Sequence, residues 1–244
     1  MYNQNEIAKM VFFDLETASE FASLDDLAKS KPKMAELWSK RCEYLRTRFE
    51  ENRDMTDEQL YEARAALTPE FARIVCATFG RVGFTNNEPS LIIKSYCSDQ
   101  ESEVLDGIHK VFDKFANMKF AGHNIKRFDV PMMCKRLLIH SRELPKGLQI
   151  HNLKPWEMPF VDTSELWSFG AWQESFASLD LLAAALNLES PKSDISGEEV
   201  GRVFWKESDL DRISQYCERD VLTVCQSILK LSALPVVEEF ELQS

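Results

Sequence analysis

No stretch of this chain approaches the roughly 20 uninterrupted apolar residues needed to cross a bilayer. The N-terminus, Met1 to Lys9, is polar and runs into an apolar segment of only a few residues. That argues against a signal peptide and makes the cytoplasm the expected compartment. The six cysteines (Cys42, Cys76, Cys97, Cys134, Cys217 and Cys225) include no C-x-x-C pair, and most sit inside apolar stretches. Buried free thiols are therefore expected rather than a zinc site or disulfides. Repeats, low-complexity tracts and obvious linkers are also missing. So is any surplus of positive charge: 29 basic against 40 acidic residues leave −11. This excludes nucleic-acid binding by blanket electrostatics. It leaves room for an enzyme whose clustered carboxylates recruit divalent cations.

What is present is enough for a core. With 244 residues, 44% hydrophobic and 28% charged, the chain reads as one globular domain over 1–244. Met10-Val11-Phe12-Phe13 predicts a buried strand ending in Asp14-Leu15-Glu16-Thr17. A charged stretch from about 19 to 69 predicts a helical insertion, with Met34, Trp38, Cys42, Leu45 and Phe49 at helical spacing. Strands are expected at about 73–82 and 91–96, separated by a turn-rich segment, so that the first three strands form a meander. A helix over 101–115, a short strand at 119–122, a helix carrying Met132, Met133, Leu137 and Leu138, and a strand at Phe160-Val161 follow. Helices are expected over 179–186, 198–205 and 207–231, and the acidic tail from Pro235 is expected to fray. The order is mixed α/β, with about five strands.

Three carboxylate signals stand out. Side chains alternate along a strand, so Asp14 and Glu16 point to one face, where they repel each other unless a cation lies between them. Asp129 lies two residues before Pro131, and capping the following helix explains it about as well as catalysis does. His123 reads as a hydrogen-bonded structural histidine, and Asp162 as a cap for 163–169 rather than a further ligand. Tyr216 and Asp220 are one helical turn apart, at the border of the apolar stripe Leu210, Ile213, Cys217, Val221, Val224 and Ile228.

In order, identity and spacing, these segments resemble the DEDD superfamily of 3′→5′ exonucleases, also called DnaQ-like, with an RNase H-like fold. Phe13-Asp14-Leu15-Glu16-Thr17 matches the first motif. His123-Asn124 through Phe128-Asp129 matches the second, and Tyr216-x-x-x-Asp220 matches the third in its tyrosine form, DEDDy. Leu67 to Cys76, and Ser178 to Ala183 with Lys192 to Gly197, are similar to proteins related to the exonuclease domain of family-B DNA polymerases. The likeness spans roughly 10–230 and departs in the helical insertion.

The resemblance implies a mixed sheet flanked by helices and a site holding two Mg²⁺ or Mn²⁺ ions. It assigns metal binding to Asp14, Glu16, Asp129 and Asp220, with Asp14 shared between the ions and Asp129 acting through water. It assigns to Tyr216 the orientation of the attacking water. The implied substrate is the 3′ end of single-stranded DNA, with no membrane partner. A separate polymerase or other replication and repair proteins fit as companions. Asn124, Lys126 and Arg127, with Lys135 and Arg136 nearby, are candidates for contacts to the strand. Trp38, Trp167, Phe169 and Trp172 are candidates for base stacking, though core or interface roles suit them equally. Three alternatives stay open: an exoribonuclease with the same cage, a catalytically silent nucleic-acid-binding scaffold, and a hydrolase of small phosphate esters.

Overall fold

Met10-Val11-Phe12-Phe13 opens the first strand as the apolar run predicts, but the strand does not stop at the acidic pair. In the computed structural model, which describes residues 1–171, 177–190 and 195–243, β1 runs from Met10–Ser19. Glu16 is therefore inside the sheet, and a register shift between Glu16 and Thr17 marks a bulge beside it. β2 (Ala72–Thr85) pairs antiparallel with β1, and β3 (Glu88–Cys97) antiparallel with β2. The turn between β2 and β3 has Asn86 and Asn87 at φ 52° and 70°, a conformation asparagine tolerates well. β4 (Lys119–Gly122) and β5 (Phe160–Asp162) extend the sheet by parallel pairing on the other side of β1.

Among the described residues the sheet has six strands, in the order β5-β4-β1-β2-β3-β6, one more than the sequence suggests. The sixth, β6 (Phe240–Leu242), lies in the tail that was expected to fray, and it pairs parallel with Leu91–Ile93 of β3. An open β3 edge with unpaired backbone groups is what captures it.

Helices cover both faces. In chain order they are α1 (Gln4–Ile7), α2 (Leu24–Ser30), α3 (Pro32–Arg48), α4 (Asp57–Arg64), α5 (Glu101–Lys114), α6 (Asp129–Ile139), α7 (Thr163–Ser168), α8 (Leu179–Ala185), α9 (Val200–Arg202) and α10 (Leu210–Leu231). One face of the sheet, with Val11, Phe13, Leu15, Ala77 and Phe79, packs on α5 and α6. The opposite face, with Met10, Phe12, Val82 and Leu91, packs on α10 through Val221, Val224, Cys225 and Ile228. Gly80 makes the second contact close: a Cβ there would lie 2.9 Å from Val221. Among the described residues, no helix is long and apolar enough to cross a membrane.

The insertion is helical as predicted and has its own core. Trp38, Cys42, Leu45, Leu60 and Tyr61 are buried there, and the Trp38 ring meets Tyr61 and Phe71 edge-on. Trp38 is therefore not available for base stacking. Of the apolar residues expected on α6, Met132, Met133 and Leu137 are buried while Leu138 is exposed, and Arg136 is buried beside them.

Two expectations are corrected. The cysteines are not all free: Cys76 and Cys97 are register partners on β2 and β3, with their Cα atoms 4.1 Å apart, and form a disulfide. Cys42, Cys134, Cys217 and Cys225 are free thiols. Arg136 is not a phosphate ligand. It is almost fully buried (1% exposed) and donates two hydrogen bonds to Glu101, one at 2.8 Å, and a third to Pro69 O at 3.1 Å. Glu101 also accepts from Ile74 N at 2.9 Å. Burial opposes its ionisation, but Arg136, the Ile74 N–H and His140 hold its carboxyl below the usual range. This pair ties α5 and α6 to the entry of β2.

Removing one partner of a buried ion pair leaves the other uncompensated, which costs about 3–5 kcal/mol. Arg136→Met should lower unfolding stability in urea by that amount. A loss of under about 1 kcal/mol would show that the pair does not organise this corner.

Candidate active site

β1, α6 and α10 bring the predicted carboxylates together. Asp14 and Glu16 stand opposite Thr78 and Cys76 of β2, on the sheet face that α10 covers. Glu16 is buried and Asp14 half-buried. From α10, the Cys217 thiol reaches to 3.4 Å from both Oδ2 and the backbone carbonyl of Asp14. Ligand atoms of Asp14, Glu16 and Cys217 all lie within 4.8 Å of one another. Cys217 belongs to the apolar stripe of α10, and its neighbourhood with Tyr216 was the only sequence signal for it.

Asp129 is the first residue of α6. The cap position is Phe128 and carries no side-chain cap bond, so the capping explanation of Asp129 fails. Its buried carboxyl instead accepts from its own N–H and from Leu15 N–H on β1. The Tyr216 hydroxyl is hydrogen-bonded to Asp220, as one-turn spacing on α10 allows. Asp129 and Asp220 stand outside the tightest group, yet both act electrostatically on Asp14 and Glu16.

The cost of this arrangement shows in the acid strengths. Burial, then repulsion from Asp220 and Asp129, hold Asp14 well above the ordinary carboxylate range, although Cys217 and Leu15 N–H oppose this. Burial, then Asp14, Asp220 and Asp129, do the same to Glu16. Asp129 is raised to about 7, mainly by burial with Asp162 and Asp220 adding, against the two N–H donors. No lysine or arginine among the described residues forms an ion pair with Asp14, Glu16 or Asp129. Buried carboxylates without a cationic partner must either hold protons or share a cation. Burial, Asp220, Glu16 and Asp14 also push the Tyr216 phenol upward, so it remains a donor. The Cys217 thiol is pushed up by burial and the same acids, and stays protonated.

The flanking residues divide by role. Asp162 is a cap, as expected: it accepts from Ser164 N at 3.0 Å, and also from Asn124 N at 2.8 Å and Lys126 N at 3.1 Å. His123 is structural, with Nδ1 2.8 Å from Thr163 Oγ1 and Nε2 3.0 Å from Ala177 O, and burial lowers its pKa. Asn124 sits at φ 58° with a buried Oδ1 that has no hydrogen-bond partner. The backbone conformation is one asparagine tolerates, so the unpartnered Oδ1 is the feature that calls for an explanation. Lys126 pairs with Glu165 at 2.6 Å and Lys135 with Glu70 at 3.4 Å, while Arg127 is exposed. Phe169 is 78% exposed and Trp167 partly buried; Trp172 and the segment 192–194 lie outside the described residues.

Unfolded aspartate and glutamate titrate near 4. Between there and the raised folded values, which for Asp129 reach about 7, the folded chain binds more protons than the unfolded one. Stability in chelator therefore falls as pH rises through that window. With EDTA at pH 8, Asp14→Asn/Glu16→Gln should melt a few degrees above wild type, with the gap closing at pH 5. A gap that is absent, or equal at both pH values, would contradict the repulsion.

A family model described as "Predicted 3'-5' exonuclease related to the exonuclease domain of PolB" matches residues 67–234. A comparison with curated proteins finds no match. Among solved structures, the family B DNA polymerase from the hyperthermophilic archaeon Pyrobaculum calidifontis is similar, with a TM-score of 0.53 at 12% identity. The likeness covers 91% of this chain and 24% of the polymerase chain, and at that identity it speaks for the fold alone. With the family match spanning most of its length, the chain belongs to the predicted 3′→5′ exonucleases related to the exonuclease domain of PolB.

Proposed function

We propose that this chain is a metal-dependent 3′→5′ exonuclease that removes nucleotides from the 3′ end of single-stranded DNA. The observation that carries the reading is the set of acids, buried Glu16 and Asp129 beside half-buried Asp14, with which no lysine or arginine among the described residues forms an ion pair, within a chain of this family. The donor set fits the cation: carboxylate oxygens are hard ligands, suited to Mg²⁺ or Mn²⁺. In this reading Asp14, Glu16, Asp129 and Asp220 hold two such ions. When bound, they supply water activation and charge stabilisation at the scissile phosphate.

The remaining steps belong to side chains. Asp129 is fixed by the Leu15 N–H, so its carboxyl keeps a set direction relative to β1. Cys217 donates to Asp14 and restrains its rotamer. Tyr216, protonated and braced on Asp220, presents a hydroxyl that orients the attacking water without acting as a base. Asn124, within the second motif, offers a buried acceptor unused among the described residues, suited to a donor on the terminal nucleotide. The acidic surface makes local contacts rather than net charge the means of holding the strand. A separate polymerase, or other replication and repair proteins, completes this reading as the partner.

The test uses 5′-labelled single-stranded DNA and RNA with Mg²⁺, Mn²⁺ or EDTA. Wild type should shorten DNA stepwise from the 3′ end only with metal. Asp14→Ala/Glu16→Ala should abolish shortening, and Tyr216→Phe should slow it about 10²-fold. Equal or faster shortening of RNA would move the reading to an exoribonuclease. Binding without shortening of either polymer would replace it with a scaffold.

A further inference from the structure

On the sheet face opposite the carboxylates, β2, β3 and α5 enclose an open groove of about 500 Å³. Its lining carries Arg81, Lys94, Lys110 and Lys114 together with the rings of Tyr96 and Phe115, and no acidic residue lines it among the described residues. Four cations in one concavity run against a chain of net charge −11. Elsewhere cations are commonly consumed by neighbours, as in Lys31 with Glu20, Arg46 with Asp57, Lys126 with Glu165 and Arg142 with Asp106. Arg81, Lys110 and Lys114 form no ion pair with a carboxylate among the described residues.

These cations are also held in place. Arg81 lies over the Phe115 ring at 5.2 Å and donates to Ala8 O at 3.1 Å. Lys114 lies over the same ring at 5.0 Å, and Lys94 over Tyr96 at 5.9 Å. Gly107 on α5 lets the Tyr96 ring seat against the helix, since a Cβ there would come within 2.3 Å of it. Cation–π contacts order long side chains that would otherwise lose entropy on meeting an anion. The result is a preorganised row of positive charge with aromatic surface beside it, the combination that tracks a nucleic-acid backbone.

We infer that this groove is a second binding site for single-stranded nucleic acid, gripping phosphates away from the cleaved end. Val11, at its edge, is three residues from Asp14 along β1, or about 10 Å. The two sites therefore share a strand but face opposite sides of the sheet. The choice of nucleic acid over another polyanion rests on the nuclease reading of the carboxylate site; the groove's charge does not.

The experiment measures binding of 5′-fluorescein dT oligonucleotides in EDTA over a salt series, in the Asp14→Ala/Glu16→Ala background so that cleavage cannot interfere. Adding Lys110→Glu/Lys114→Glu should weaken binding at least about tenfold at low salt. It should also reduce the slope of log K against log salt by about 1 or more. Lys110→Gln/Lys114→Gln, at exposed positions, should give a smaller change in the same direction, with melting temperature reporting that both variants fold. Unchanged affinity and slope in both folded variants would overturn the inference. Binding of poly-glutamate but not of the oligonucleotide would overturn it in favour of an acidic polypeptide. Charge-sensitive DNA binding by a wild type that never shortens DNA would uphold the groove and reject the exonuclease reading instead.

Discussion

Mutual repulsion among clustered acids is the constraint on which the rest of this site depends. Asp14 and Glu16 come from one strand, Asp129 from the start of a helix and Asp220 from the long last helix, and each raises or shares in the strain on the others. A fold tolerates that only if strong packing elsewhere fixes the elements. Here β1 is central in the sheet, with β4 on one side and β2 on the other, and apolar layers on both faces. The buried Arg136–Glu101 pair adds a polar clamp between α5 and α6. Stability supplied by the core thus offsets a local penalty that has value only when a cation is shared.

The surrounding hydrogen bonds make sense in the same terms. Leu15 N–H and the Cys217 thiol each lower the cost of a charge without neutralising it. Tyr216 is driven toward its neutral form by the same field, which makes it a steady donor. One electrostatic environment therefore sets the carboxylates, the thiol and the phenol together.

Much of the site was legible because it depends on local periodicity. Two-residue spacing on β1 put Asp14 and Glu16 on one face, and four-residue spacing on α10 put Tyr216 beside Asp220. The meander followed from the alternation of apolar runs and turn residues, while the sheet flanked by helices was implied by the family resemblance. What escaped depends on pairing between distant segments. Cys76 and Cys97 become neighbours only through the β2–β3 register, which their separation of 21 residues does not announce. β6 forms because β3 has an edge to offer, while its own segment is short and acidic. Arg136 reads as a surface cation until its place beside Met132, Met133 and Leu137 on the inner face of α6 is set against Glu101. The basic groove is invisible in sequence, since its four cations come from three elements.

The most direct measurement is the position of Mn²⁺ in a crystal of the protein, located by its anomalous scattering. Manganese peaks bounded by Asp14, Glu16, Asp129 and Asp220, lost in Asp14→Asn/Glu16→Gln, are the expected result of a shared-cation site. Manganese bound elsewhere, or an empty cage at saturating Mn²⁺, would contradict it.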